Sequence, residues 1–267
     1  MHRPPIISLL SVLCAALLLG ACNDRPDQAT AITPSTVADL GYVTPPSVTG
    51  VKRDGPKVSV EGRASPLARV RLANPGGEAT ETVADKAGQW RMSVAQADSA
   101  AIYGLSQRGG GRTLQAEGYV LITQEGQAVL LRAGVGALMI GDLTGVGVSA
   151  IDVDRDGGAV VSGRATVGGF VSARIDGRPV GEGKGDANGR FSLSLTGPLA
   201  PGRHTLKVFG DGLNQVLSID ATPAAPLREG PFRAKPDRAG LRVDWMTPGG
   251  GVQTTLILTQ APGAAAP

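Results

Sequence analysis

Cysteine, histidine and aromatic side chains are scarce in this chain, and each scarcity removes a class of explanation. Two cysteines occur in 267 residues, Cys14 and Cys22. If the leader described below is cleaved and Cys22 is modified, no thiol remains for a disulfide, and the fold must rest on apolar burial and backbone pairing. Of the two histidines, His2 lies in the leader and His204 in the body of the chain. One histidine excludes multi-histidine metal sites and leaves a histidine-based triad a single possible base. No Gly-x-Ser-x-Gly elbow is present to serve it. Charge of one sign is also lacking: 26 basic against 23 acidic side chains give a formal +3, too little to draw nucleic acid or an anionic bilayer surface. Aromatics are 3% of the residues, whereas glycine (39) and proline (19) are abundant. That composition suits many short strands joined by tight turns and fits long helices poorly.

There is one long apolar run, Ile6 to Leu19, preceded by the positive residues His2-Arg3. It is short for a bilayer span and ends in small residues, the pattern of a cleaved secretory signal over 1–21. The ending Leu19-Gly20-Ala21-Cys22 resembles a lipobox, the recognition site of lipoprotein signal peptidase. That resemblance implies a bacterial lipoprotein with an acylated Cys22 thiol and a membrane as its first partner. Asn23 follows the cysteine, which by the enterobacterial sorting pattern favours the outer over the inner membrane. The expected location is the cell envelope, lipid-anchored and facing the periplasm. Residues 22–46 are polar, contain proline and lack a sustained period, as a flexible tether would.

The body of the chain repeats itself. Gly62-Arg63-Ala64-Ser65 recurs 101 residues later as Gly163-Arg164-Ala165-Thr166, and Val70 matches Val171. Asp85-Lys86-Ala87-Gly88-Gln89-Trp90 matches Asp186-Ala187-Asn188-Gly189-Arg190-Phe191, followed by Met92 and Val94 against Leu193 and Leu195. Both copies alternate apolar and polar residues as half-buried strands do, and Asp54-Gly55, Asp156-Gly157, Asp176-Gly177 and Asn188-Gly189 are turn formers. Beyond this stretch the copies diverge. Arg108-Gly109-Gly110-Gly111-Arg112 reads as a lengthened loop of the first copy, with strands after it at Leu114–Ile122 and Ala128–Arg132. The glycine-rich, apolar segment Gly134–Val148 reads as a buried link. Leu241, Val243 and Trp245, then Val252 to Leu258, predict a C-terminal hairpin.

Gly-Arg-Ala, a strand, Asp-x-x-Gly-x-aromatic and, in the second copy, Pro201-Gly202-Arg203-His204-Thr205-Leu206 resemble bacterial immunoglobulin-like (Big-type) modules of envelope and surface proteins. The resemblance covers about 58–94 and 159–208. It implies that Asp85 and Gly88, or Asp186 and Gly189, shape a turn, and that Trp90 and Phe191 enter equivalent sandwich cores. The expected fold class is all-β: two tandem immunoglobulin-like β-sandwich modules at 47–138 and 139–222. A hairpin at 223–260 packs on the second, and a disordered tail occupies 261–267. With a small interface the modules should unfold independently.

Candidate chemistry is sparse. Asp152, Asp154 and Asp156, followed by Gly157, are spaced like the start of a calcium loop, where alternate carboxylates converge on one cation. The twelfth position, however, is Gly163 rather than glutamate. Moreover, Arg155-Asp156-Gly157 matches Arg53-Asp54-Gly55 with one gap, so a turn is the preferred reading, with Asp156 bonding nearby amides. Gly181-Glu182-Gly183-Lys184 departs from a phosphate loop at Arg178 and Gly185 and reads as a glycine-rich hairpin. His204 falls on a strand surface. The arginines around Gly109–Gly111 are either an anion site or a solvated loop tip, and Trp245 either a ligand platform or the core anchor of the last hairpin. No catalytic residue and no cofactor is expected. The expected role is structural or protein-binding, with glycan binding (peptidoglycan or surface polysaccharide) as the alternative and an envelope protein or glycan as partner.

Overall fold

The computed structural model describes residues 43–95, 99–141 and 145–258. The leader, Cys22, the tether up to residue 42 and the tail 261–267 lie outside the described residues. The chain is all-β, and among the described residues there is no helix. The first nine strands are β1 (Ser47–Asp54), β2 (Lys57–Arg63), β3 (Arg69–Ala73), β4 (Ala79–Val83), β5 (Gln89–Ala95), β6 (Ala101–Gly109), β7 (Arg112–Ile122), β8 (Ala128–Leu131) and β9 (Leu138–Ile140). They form sheet I, ordered β1-β2-β5, and sheet II, ordered β4-β3-β6-β7-β8-β9. Next come β10 (Gly147–Val153), β11 (Ala159–Arg164), β12 (Phe170–Ile175), β13 (Arg178–Lys184), β14 (Arg190–Ser194), β15 (Arg203–Gly210) and β16 (Leu213–Asp220). The last three are β17 (Phe232–Asp237), β18 (Gly240–Met246) and β19 (Val252–Leu258). Sheet III is ordered β14-β11-β10-β19-β18-β17 and sheet IV β13-β12-β15-β16.

Strands β1–β7 and β10–β16 follow one plan. The first, second and fifth strands of each set share a sheet, and the fourth, third, sixth and seventh form the facing one. This three-plus-four antiparallel sandwich is an immunoglobulin-like arrangement. Sheets I and II enclose Val58, Val60, Val70, Leu72, Trp90, Leu105 and Val120. Sheets III and IV enclose Ile151, Val161, Val171, Phe191, Leu206 and Val208. The repeated glycine has a steric cause. Gly62 pairs opposite Trp90 and Gly163 opposite Phe191. A Cβ on Gly62 would lie 2.5 Å from the indole and 1.9 Å from the Ser47 carbonyl. On Gly163 it would lie 2.8 Å from the Phe191 ring and 2.1 Å from the Gly147 carbonyl. Each core aromatic thus lies over a strand position that admits no side chain.

Three expectations need correction. The C-terminal segment is not a hairpin laid on the second sandwich but three strands of its sheet: β19 pairs with β10 from Ala150↔Ile257 to Val153↔Thr254, β18 with β19, and β17 with β18. Strand β17 escapes sequence reading because it carries Pro236 and few apolar residues, a composition tolerated at a sheet edge. The boundary at 138/139 falls inside β9, which pairs with β8 and so belongs to sheet II. Finally, Gly110-Gly111 is a two-residue hairpin turn, not a lengthened loop: Gly109 pairs with Arg112, and both central glycines have positive φ, 56° and 76°.

The strands added beyond each set of seven build a third core. Ile102, Leu121, Val129, Leu131, Ala137 and Met139 from sheet II and its following segment meet Ala150, Val243, Trp245 and Ile257 from sheet III. Trp245 is fully buried there, edge-on to Tyr119 at 5.9 Å between ring centroids. The four sheets therefore stack I–II–III–IV with an apolar core in each of the three gaps. At about 10 Å per sheet-to-sheet gap, the outermost backbones lie about 30 Å apart. The third core removes the small interface on which independent unfolding of the modules depends. We predict a single calorimetric transition for the whole 43–258 body. Trp245→Ala should cost about 3–5 kcal/mol and split that transition in two. Two well-separated transitions in the unmodified protein would contradict the coupling.

Candidate functional site

The three aspartates at 152, 154 and 156 do not converge on one point. Asp152 is 2% exposed and lies between the sandwiches. Its carboxylate accepts the Ala137 amide at 2.6 Å, the Gln253 side-chain amide at 2.9 Å and the Thr255 hydroxyl. Thr255 in turn accepts the Trp245 indole N–H at 3.0 Å. Burial pushes the Asp152 pKa up, against the opposing effect of those hydrogen bonds and of Arg132. Asp154 holds the turn: its Oδ1 accepts the amides of Asp156 and Gly158 at 2.9 and 2.8 Å. Asp85 and Asp186 do the same at their own turns. The turn therefore depends on Asp154, not on Asp156 as the sequence alignment placed it. Strand register gives the reason. Val58 pairs with Arg53 and its counterpart Ala159 with Val153, so Asp54 corresponds to Asp154. Asp156 is solvent-exposed. Among the described residues no three His, Cys, Asp or Glu side chains gather as a metal site would.

The backbone linking the sandwiches is held by side chains of the second one. Gly134 N–H donates to Gln253, Val135 C=O accepts from the Ser192 hydroxyl at 2.7 Å, and Ala137 C=O accepts from the Ser162 hydroxyl at 2.8 Å. Arg132 Nε donates to Gly136 C=O at 2.9 Å. The link is thus not buried throughout as expected: Gly134 and Val135 are exposed and Gly136 and Ala137 buried, and the buried part, outside regular pairing, needs such partners for its polar groups. The three contacts to the second sandwich were not legible beforehand, because their partners are 25 to 119 residues apart.

Beside this link lies a cleft of about 330 Å3, lined by Arg132, Arg164, Lys184, Arg190 and Asp186 at the rim and by Ser149, Ser162 and Ser192 among other residues. The three arginines are half-buried. Arg164 and Arg190 face each other across the β11–β14 pair. The Asp186 pKa lies below the usual carboxylate range because its oxygen accepts the Arg190 and Asn188 amides, aided by the positive charges of Arg190 and Arg164. Nothing in the sequence points to the cleft, whose walls come from five strands and the link.

The remaining candidates sit apart from it. Gly181–Lys184 forms most of β13, paired along β12. Arg108 and Arg112 flank the Gly110-Gly111 turn and are exposed. Trp245, buried between sheets II and III, is no ligand platform. His204 is more confined than a surface strand position: its side chain is 14% exposed, with Nδ1 2.8 Å from Asp176 Oδ2 and Nε2 2.8 Å from the Ala200 carbonyl. Both partners only accept, so both bonds form only with the doubly protonated ring. The bond to Asp176, with that to Ala200, holds the His204 pKa above its ordinary value, and Asp176 is correspondingly held low. On the other side of sheet III, Arg242 and Arg233 clamp buried Asp244 at 3.0 and 2.7 Å. Burial alone would raise the Asp244 pKa, but Arg233, Thr254 and Arg242 together hold it low. Arg242 also donates to the Thr222 carbonyl, tying the segment after β16 to sheet III.

No known protein-family profile matches the chain, and no curated protein matches it. Solved structures similar to it include the BSP domain of a biofilm-associated protein (17% identity over 69% of this chain and 30% of that one, TM-score 0.24). Others are a 1.5-MDa bacterial ice-binding adhesin (18%, 67% and 63%, TM-score 0.22) and the integrin-binding protein invasin (13%, 79% and 47%, TM-score 0.21). This chain spans less than a third of the first of these. Scores at this level carry no inference about role.

Two predictions follow from the geometry. Calcium should leave the melting temperature unchanged, and Asp154→Ala should cost about 1 kcal/mol through two lost amide bonds. Gly157→Val should cost about 2 kcal/mol, because Gly157 has φ +85° and its Cβ would lie 2.4 Å from the Leu199 carbonyl. A calcium-dependent rise in melting temperature that Asp154→Asn abolishes would overturn the turn-only reading. For His204, a folded-state pKa above the unfolded one means stabilisation that is complete below about pH 6.5 and lost as pH rises through the folded value. The melting temperature of the native chain should therefore fall relative to His204→Gln between neutral and mildly alkaline pH. Parallel curves would rule the imidazolium out.

Proposed function

We propose that the chain is a membrane-anchored, non-enzymatic envelope lipoprotein with a structural or protein-binding role. On this reading an acyl group on Cys22 fixes the N-terminal side, and the stacked sandwiches hold their outer surfaces at a set distance from the membrane. The observation that carries it is the third core. By filling the gap between sheets II and III, it turns two modules into one stiff body suited to bearing a surface rather than closing around a substrate. The cell envelope, periplasm-facing and preferentially at the outer membrane, is the location that the lipobox-like ending and Asn23 support. A second reading, glycan binding, is favoured by the cleft beside the link, whose rim is cationic and whose serines line it.

The anchoring is tested by Cys22→Ser. Each buried methylene of an acyl chain contributes about 0.8 kcal/mol, so several chains make attachment effectively permanent. The native chain should enter the detergent phase on phase separation. The Cys22→Ser variant should stay aqueous or accumulate as uncleaved precursor. Identical partitioning of the two processed proteins would remove the lipid anchor from this account.

A further inference from the structure

We infer that the cleft beside the inter-sandwich link is a binding site for an acidic sugar, one carrying a phosphate or carboxylate as well as hydroxyls. This deepens the glycan-binding reading above and rests on it. The rim supplies donors. The side chains of Arg164, Arg190 and Lys184 make no hydrogen bond or ion pair among the described residues, and Arg132 uses one N–H on the Gly136 carbonyl. Half-buried guanidinium groups with no carboxylate in ion-pair contact are costly to keep, and their planar forks match oxyanions. Asp186 is the single acid at the rim, and one of its oxygens already holds the turn amides of Asn188 and Arg190.

The serines supply acceptors. Ser149 donates its proton to the Ser162 carbonyl, Ser162 to the Ala137 carbonyl and Ser192 to the Val135 carbonyl. Their remaining lone pairs can only accept, which suits hydroxyl donors and not an anion. A ligand complementary to both needs an oxyanion at one end and hydroxyls at the other. The volume, about 330 Å3, lies at the lower end of small-ligand sites and limits the occupant to one such sugar or one residue of a polymer.

The first sandwich is an internal control. At the positions equivalent to Arg164, Lys184 and Arg190 it carries Arg63, Val83 and Gln89, in matching strand registers. One cation in place of three shows that the fold does not require this concentration of charge. Among the described residues, the link that completes the wall, with Arg132, accompanies the second copy.

The test is calorimetric titration of the full chain, purified in detergent, with glucuronic acid, glucose 1-phosphate, glucose and inorganic phosphate. Both acidic sugars should bind and glucose should not, with binding weakened as salt rises. The tighter of the two acids identifies the oxyanion. Arg164→Gln with Arg190→Gln should raise the dissociation constant at least about tenfold, Arg164→Lys with Arg190→Lys less, and Arg63→Gln not at all. Equal melting temperatures show that the variants are folded. Inorganic phosphate binding as tightly as glucose 1-phosphate would mean an adventitious ion only and overturn the proposal. Acidic sugars that bind equally well to the Arg164→Gln/Arg190→Gln protein would overturn the site but leave glycan binding standing. No binding of any saccharide, including isolated envelope glycan, would remove both.

Discussion

Two sheets in the middle of this molecule are covered on both faces where they meet, along β8 in one and β10 and β18–β19 in the other, and most of its architecture follows from that. A β-sheet with one buried face alternates apolar and polar residues, as β5 does in sheet I. A sheet buried on both faces cannot alternate in that way. All seven residues of β10 are buried, and in β8 alternate residues serve different cores: Ala128 the first sandwich, Val129 and Leu131 the gap between sandwiches. Filling that gap requires the added strands β8–β9 on sheet II and β17–β19 on sheet III. It also requires Trp245, the largest of the fully buried side chains in the structure. The buried polar groups of the gap are then obliged to pair. The chain from the Trp245 indole through the Thr255 hydroxyl to the Asp152 carboxylate and the Ala137 amide satisfies each in turn.

The two copies differ where the stack demands it. On the outer face of sheet I, Glu61 and Arg91 pair across strands at 2.6 Å in solvent. At the corresponding places in sheet III stand Ser162 and Ser192, whose hydroxyls hold the link. A charged outer face ends a stack and keeps the terminal sheet soluble, whereas small hydroxyl side chains let a backbone approach and bond to them. The same divergence leaves Arg164 and Arg190 without an ion-pair partner, Asp186 acting on them through its charge alone. The interface between the sandwiches and the cationic cleft are therefore products of one set of substitutions relative to the first copy.

Sheet IV ends the stack at the opposite side in another way. Its outer face carries Arg174 and Lys207, each 5.6 Å from the centre of the Phe209 ring, with Val216 exposed beside them. Cations laid over an aromatic cover apolar surface while keeping their charge in water, which moderates the exposure of an otherwise greasy face. Both ends of the stack are thus finished with charge: by an ion pair on sheet I and by cation–aromatic contacts on sheet IV.

What the sequence by itself determined was local. The alternation of Trp90, Met92 and Val94, the Asp-x-x-Gly turns and the 101-residue repeat are written in neighbouring residues, because strand period and turn geometry are short-range properties. The all-β class followed from them, as did the burial of Trp90 and Phe191. Other features depended on partners far along the chain. Asp152 looks like a metal ligand beside Asp154 and Asp156, yet its partners are Ala137, Gln253 and Thr255, which only sheet stacking brings to it. The burial of Trp245 between the sandwiches required β18 to enter sheet III, and Arg132, Arg164 and Arg190 share a cleft only once the link crosses β11 and β14. Hydrogen bonding and burial across a hundred residues have no period for a sequence to display, so only the tertiary structure could decide them.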